Sequence, residues 1–183
     1  GVAALSAALP VRVTIAGEAL REAPSEPCRS GQRWSYDDVV FTVLHPGAAA
    51  TLRGNDRSCV LMVELGAYRV LLTGDIEKEA EHALLRSGRL RQVLMLTVPH
   101  HGSRTSSTTP FVEALRPDLA VVSAGYANRW GLPREDVVDR WRAAGSEVLN
   151  TARSGAVELS VCADRGLPTI HQYRLLNRRI WHE

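Results

Sequence analysis

The feature that most constrains how this chain folds is a change of pattern near Gly74. Before it, apolar runs of strand length follow one another across turns: Val39–Leu44, Cys59–Leu65 and Arg69–Thr73, the last two joined as a hairpin by Gly66-Ala67-Tyr68. After it, strand-length runs alternate with segments of helical period. Ile76–Arg86 carries apolar residues at 76, 80, 83 and 84 and is closed by Gly88. Val93–Val98 and Leu119–Ser123 read as buried strands, with Pro110–Leu115 a short helix between them. Glu135–Ala144 sets Val137, Val138, Trp141 and Ala144 on one face, and Val148–Asn150, Ala156–Cys162 and Thr169–Arg174 supply the last strands. Near the start, Val2–Leu9 reads as a helix stopped by Pro10 and Val11–Ala16 as a strand. Hairpins followed by β–α units predict an α/β sandwich, two sheets with helices outside, whose functional loops gather at one sheet edge.

The 183 residues suit a single domain, 1–183. Hydrophobic residues at 45% and charged residues at 23% exclude a disordered or collagen-like chain. The apolar runs fall far short of the roughly 18 residues of a membrane helix. A net charge of +2 is too small to argue nucleic-acid binding by itself. Lys78 is the only lysine; arginine suits bidentate phosphate contacts, but a compositional bias of the genome produces the same usage. Cys28, Cys59 and Cys162 have no zinc-type spacing. Cys59 and Cys162, inside apolar runs, are expected as buried thiols, whereas Cys28 is free or paired. With no basic region before the Gly1–Leu9 stretch, and with residue 1 not Met, the chain reads as a fragment without a signal peptide.

Three places after or before strands carry polar groups suited to chemistry. Asp75, in Thr73-Gly74-Asp75, sits where a strand end would hold a metal ligand rigidly, or caps the following helix. His100 and His101, in Pro99-His100-His101-Gly102-Ser103, would point in opposite directions on an extended chain, so that one at most faces a given metal; a surface pair is the plain alternative. The hydroxyls that follow, Ser103 and Thr105–Thr109, offer donors to phosphate oxygens, and Arg104 adds charge. Asn55-Asp56-Arg57-Ser58, before Cys59, would line the same rim or form an ordinary polar turn. His45 reads as a turn residue, His82 as solvated on its helix, and His171 and His182 have no ligand spacing. The GxGxxG, P-loop and GxSxG patterns are absent.

Six segments in order resemble the metallo-β-lactamase-like domain at the C-terminal end of the ComEC family of DNA-internalisation competence proteins. They are Trp34–Pro46, Asn55–Leu61, Val70–Glu77 (VLLTGDIE), Leu96–Ser107 (LTVPHHGSRTSS), Leu115–Ala124 and Asn128–Pro133. The resemblance implies an αββα sandwich that binds divalent metal, Mn²⁺ or Zn²⁺, between its sheets and cleaves the DNA strand that is not imported. It makes Asp75 a metal-bridging aspartate and one of His100 and His101 a ligand. Asn55, Ser58, Ser103, Arg104 and Ser106 become candidate substrate contacts. It also implies a larger membrane-associated protein whose channel accompanies this domain, with single-stranded DNA as partner.

Two departures qualify this. The family's HxDxDH motif is absent, and Gly1–Leu5 look like the residues that follow it. Gly131-Leu132-Pro133 stands where many relatives have Gly-His-Pro. One aspartate and one or two histidines do not fill two coordination spheres, so this chain is expected to be an N-terminally truncated domain that binds metal weakly and hydrolyses little. Exposed apolar surface at its start would favour a homodimer. Rival readings are a non-catalytic module guiding DNA into the channel, and a related hydrolase acting on RNA or a small ester.

Overall fold

The structure is a computed structural model that describes residues 2–20, 24–47, 52–162 and 167–177. The strands are β1 (Ile15–Ala16), β2 (Glu26–Pro27), β3 (Arg33–Tyr36), β4 (Val39–His45), β5 (Val60–Leu65), β6 (Tyr68–Leu72), β7 (Met95–Thr97), β8 (Leu119–Val122), β9 (Glu147–Asn150), β10 (Val157–Ser160) and β11 (Thr169–Gln172). The helices are α1 (Val2–Ala8), α2 (Lys78–Arg86), α3 (Thr109–Leu115), α4 (Glu135–Ala143), α5 (Thr151–Ser154) and α6 (Tyr173–Leu176). His182 and residues 48–51 lie outside the described residues.

One seven-stranded sheet runs β3-β4-β5-β6-β7-β8-β9, antiparallel from β3 to β6 and parallel from β6 to β9. The change from antiparallel to parallel falls where the sequence changes pattern, because only the parallel half needs a crossover between strands. Helices α2 and α3 make the first two crossovers and α4 the third. Their apolar stripes (Ala80 and Leu84; Phe111, Val112 and Leu115; Val137 and Trp141) close over Val60, Leu71, Leu96, Ala120 and Val122 as the main core. The alternate residues of β8, Leu119 and Val121, face the other way and cluster with Leu149, Met95 and Val157. Burial on both faces explains why LAVV is continuously apolar.

The two expected sheets take an unequal form among the described residues. Besides the large sheet there are only two-stranded ladders: β1 with β2, parallel, and β10 with β11, antiparallel. Val11–Ala16 contributes strand only at Ile15–Ala16, and Thr169–Arg174 ends its strand at Gln172 and turns into α6. Helix α1 forms as expected but buries none of its residues.

The cysteines depart from expectation. Cys59 is no thiol: it is disulfide-bonded to Cys28 across 31 residues, while Cys162, expected buried, is exposed and free. The bridge ties the β1–β2 segment to the start of β5, next to the loop that carries Asn55 and Ser58. Such bonds persist in oxidising compartments.

Candidate functional site

Every titratable side chain of interest lies at the C-terminal ends of the parallel strands, the edge at which open α/β sheets bind ligands. Asp75 and Glu77 follow β6, His100 and His101 follow β7, and Ser123 follows β8. Gly74 lets the first turn form: its φ is +59°, and a Cβ there would lie 3.0 Å from the Ser58 Cβ. Ser58 Oγ accepts a hydrogen bond from Asp75 N at 3.3 Å, which fixes the backbone that presents the carboxylate.

Asp75 does not cap α2. That role belongs to Asp56, whose buried Oδ1 accepts from the amides of Glu77 at 2.8 Å and Ala80 at 3.1 Å. A carboxylate from a distant loop thus satisfies the helix end, and Asp75 remains half-exposed beside it. His45 is not a simple turn residue either. It is buried at the end of β4 and donates from Nε2 to the Asp56 carbonyl at 2.8 Å, holding the same loop from below. Burial pushes the His45 pKa below its usual value, against the opposing pull of the Asp56 carbonyl and charge.

The two histidines sit not on an extended chain but on a tight turn, Pro99–Gly102, with left-handed backbone at both: φ is 47° at His100 and 55° at His101. The rings stand 6.4 Å apart at 60° and serve different partners. His101 Nδ1 lies 2.7 Å from the Ser123 carbonyl, which can only accept, so Nδ1 carries the proton. Its Nε2 then faces Asp75 Oδ1 at 3.5 Å, one acceptor toward another. Two acceptors at that distance need a cation or a further proton between them. A divalent cation there would be held by Asp75 and His101 and would relieve that confrontation. A histidine whose other nitrogen is held by a carbonyl is also the usual oriented ligand.

His100 is turned the other way. Its Nδ1 lies 3.0 Å from Glu77 Oε1 and 3.2 Å from Thr105 Oγ1, while its Nε2 meets the Asn55 amide at 3.4 Å. Glu77 Oε1 also accepts from Thr105 Oγ1 at 2.8 Å and from Asn55 Nδ2 at 3.4 Å. Glu77 is therefore the hub of this group, although its sequence position gave no reason to single it out beyond the TGDIE segment. Asn55 lies in reach of the histidine turn as expected, and Ser58 acts through the Asp75 backbone.

The hydroxyl loop is largely committed to itself. Ser103 Oγ pairs with Thr105 Oγ1 at 3.0 Å. Ser106, expected as a phosphate contact, is buried and donates toward the carbonyls of Pro99 at 2.8 Å and Ser103 at 3.0 Å, so it presents no oxygen outward. Arg104 is engaged with Asp136, at 3.0 Å to Oδ1 and 3.2 Å to Oδ2, but that pair is exposed and weakly held. Ser107, buried with φ +58°, anchors the loop from behind: its amide donates to Glu81, its carbonyl accepts from Arg140, and its Oγ accepts from Trp141 Nε1. Glu81 also accepts from Thr108 N, and burial raises the Glu81 pKa above its usual value despite those bonds.

Among the described residues no three His, Cys, Asp or Glu side chains converge as a metal site. The donors present fit a divalent cation as half a coordination sphere, through Asp75 and His101.

The metallo-beta-lactamase superfamily profile matches residues 5–126, about two thirds of the chain and the whole of this sheet edge up to Tyr126. The chain belongs to the metallo-beta-lactamase superfamily. Divalent-metal binding is general in that superfamily, and the Asp75–His101 geometry accords with it. This metallo-beta-lactamase domain is 40% identical over 131 residues to competence protein ComA of Neisseria gonorrhoeae, covering 71% of this chain and 19% of that protein. It is 38% identical over 138 residues to recombination protein 2 of Haemophilus influenzae, covering 75% and 17%. With ComE operon protein 3 of Bacillus subtilis the identity is 33% over 133 residues, covering 73% and 17%. The chain thus spans under a fifth of the length of these relatives. Among solved structures, a mutant CmlA beta-hydroxylase aligns with a TM-score of 0.47 and 12% identity over 70% of this chain and 32% of its own, too distant to carry an argument. No helix among the described residues is long and apolar enough to cross a membrane.

Proposed function

We propose that this chain is the metal-dependent phosphodiesterase domain of a membrane-associated DNA-uptake protein, acting on the DNA strand that is not imported. The observation that carries the reading is the Asp75 carboxylate facing Nε2 of His101 at 3.5 Å while the Ser123 carbonyl holds the other ring nitrogen, at the ligand-binding edge of the sheet. The competence proteins similar to this chain support DNA as the polymer handled. A divalent cation bound there would supply Lewis acidity toward a phosphoryl oxygen. The chain's own residues do the rest. Ser123 and Ser58 hold His101 and Asp75 in register, and Glu77 keeps the His100 proton on Nδ1. Asn55 and Ser103 lie at the rim where phosphate oxygens would approach, and Arg104 can exchange Asp136 for phosphate. The disulfide supports an extracytoplasmic, oxidising side of the membrane.

With Asp75 and His101 the two donors that converge among the described residues, this chain is expected to bind metal weakly. That same observation favours a second reading, a module that guides DNA without cutting it. The test is hydrolysis of labelled single-stranded DNA with Mn²⁺, by this chain and by any upstream extension its gene encodes, each with Asp75→Ala. Cleavage abolished by Asp75→Ala establishes the phosphodiesterase. Metal-independent DNA binding without cleavage in every form leaves the guiding module.

A further inference from the structure

Ser106 and Ser107 of the hydroxyl loop are buried and the Ser103 and Thr105 hydroxyls pair with each other, so most of the grip on a nucleic-acid strand has to come from elsewhere. The neighbouring segment Gly125–Pro133 has the chemistry for it. Tyr126 and Trp130 are 81% and 61% exposed, although burying rings of this size is strongly favoured and the core lies close by. They are not exposed for want of order. Asn128 braces the loop, donating from Nδ2 to the carbonyls of Gly125 at 3.1 Å and Leu132 at 2.7 Å and accepting from Leu132 N at 3.0 Å. The loop is also locked to the histidine turn: Arg134 N donates to the Gly102 carbonyl at 2.9 Å, and a Cβ at Gly102 would meet Pro133 Cβ at 2.6 Å. The backbone that carries both rings is thus braced by Asn128 and tied to the turn that bears His100 and His101.

The surroundings match an anionic strand with flat bases. The Arg129 guanidinium lies 4.5 Å from the centre of the Trp130 ring, a cation placed on one face of a stacking platform. Trp130 and Leu132 wall a pocket of about 130 Å³ whose other side is His101. That pocket shares Gly125, Asn128 and Leu132 with a cleft of about 860 Å³ reaching Arg142 and Arg153. Arg142 is paired with Asp139 at 3.3 Å on the surface, and Glu135 also lines the cleft, whereas Arg153 has no ion-pair partner among the described residues.

We propose that Trp130 and Tyr126 form a stacking platform for unpaired bases and that the adjoining cleft, through Arg153, carries the strand's phosphates away from the Asp75–His101 pair. The proposal rests on the DNA reading above and deepens it. It makes single-strandedness the property recognised, because the bases of a duplex already stack on one another and have no free face to offer. Base–aromatic stacking together with a cationic groove is the general solution to sequence-tolerant single-strand binding.

The test is fluorescence anisotropy with the 183-residue chain and three labelled probes: oligothymidylate, an abasic strand of equal length, and a blunt duplex. Wild type should hold oligothymidylate about tenfold more tightly than the abasic strand, and Trp130→Ala combined with Tyr126→Ala should remove that preference while binding the abasic strand as wild type does. Trp130→Tyr should keep most of it. Arg153→Glu should weaken oligothymidylate and abasic strand alike and flatten the salt dependence of both. Equal wild-type affinity for base-bearing and abasic strands, or a preference for duplex, overturns the platform while leaving DNA as the ligand. A preference for bases that survives the loss of both Trp130 and Tyr126 overturns it too. No binding of any of the three probes defeats the DNA reading itself, and the platform with it.

Discussion

His100 and His101 are neighbours of one residue type on one turn, yet their surroundings are opposite. His100 is enclosed by Glu77, Thr105 and Asn55, each ring nitrogen matched to a partner of complementary sense. His101 is fixed through Nδ1 and turns Nε2 toward the Asp75 carboxylate. A group whose hydrogen-bonding capacity is filled serves the framework, and one left facing a like partner is reserved for something that arrives. The two also hang from different supports: His100 from the loop held by Asp56 and the Cys28–Cys59 bridge, His101 from β8 and the Gly125–Pro133 segment.

Gly102→Ala should break both at once. With φ at +81° and Pro133 Cβ 2.6 Å from the new methyl, strain and overpacking together should cost about 2–4 kcal/mol, read by thermal or denaturant unfolding. The sharpest separation comes from calorimetric Zn²⁺ titration. His101→Ala should lose more than the roughly 10–100-fold that removing an outer partner costs, with little change in stability. His100→Ala should lose at most about tenfold. Equal losses would dissolve the distinction. Asp56→Ala should destabilise by about 1–2 kcal/mol through the uncapped α2 amides, and should disturb His100, through Asn55, more than His101; histidine NMR shifts would report which ring moves.

The smallest effect is in pH. The folded His45 pKa lies below its usual 6.5, so between the folded value and 6.5 the unfolded chain binds more protons. Stability should therefore fall as pH drops through 6.5, by less than about 1.4 kcal/mol per unit, and should level off once the folded imidazole also protonates. Glu81 acts in the opposite sense, its raised pKa removing stability as pH rises above 4.5. The difference between wild type and His45→Gln isolates the first slope, which vanishes if His45 stays solvated.

Most regular elements of the large sheet were legible because local pattern carries them: VVFTVL as a strand, the hairpin around Gly66, and the helical stripe ending at Gly88; β3 was not, its residues being all exposed and its strand form supplied by pairing with β4. The positions of Asp75 and the histidine turn at strand ends followed from the same reading. What was not legible depends on contacts between distant segments. Asp75 precedes a helix and looks like its cap, and only the approach of Asp56 from another loop shows otherwise. The left-handed backbone at His100 and His101 belongs to a turn packed through Gly102 on Pro133, a long-range contact that no local propensity announces. Disulfide connectivity is likewise a property of the folded chain, and the inward direction of the Ser106 hydroxyl shows only in three dimensions.

The large sheet has a consequence for the order in which the molecule assembles. Each of its strands pairs only with its neighbour in the chain, so no pairing has to wait for a distant segment. In the antiparallel half short turns join β3 to β4 and β5 to β6, so these hairpins can zip early, while the parallel strands must each await a crossover helix. Because a chain leaves the ribosome N-terminus first, the hairpins are made before the helices that complete the sheet. The edge bearing Asp75 and His101 is therefore drawn together late, onto a platform already standing.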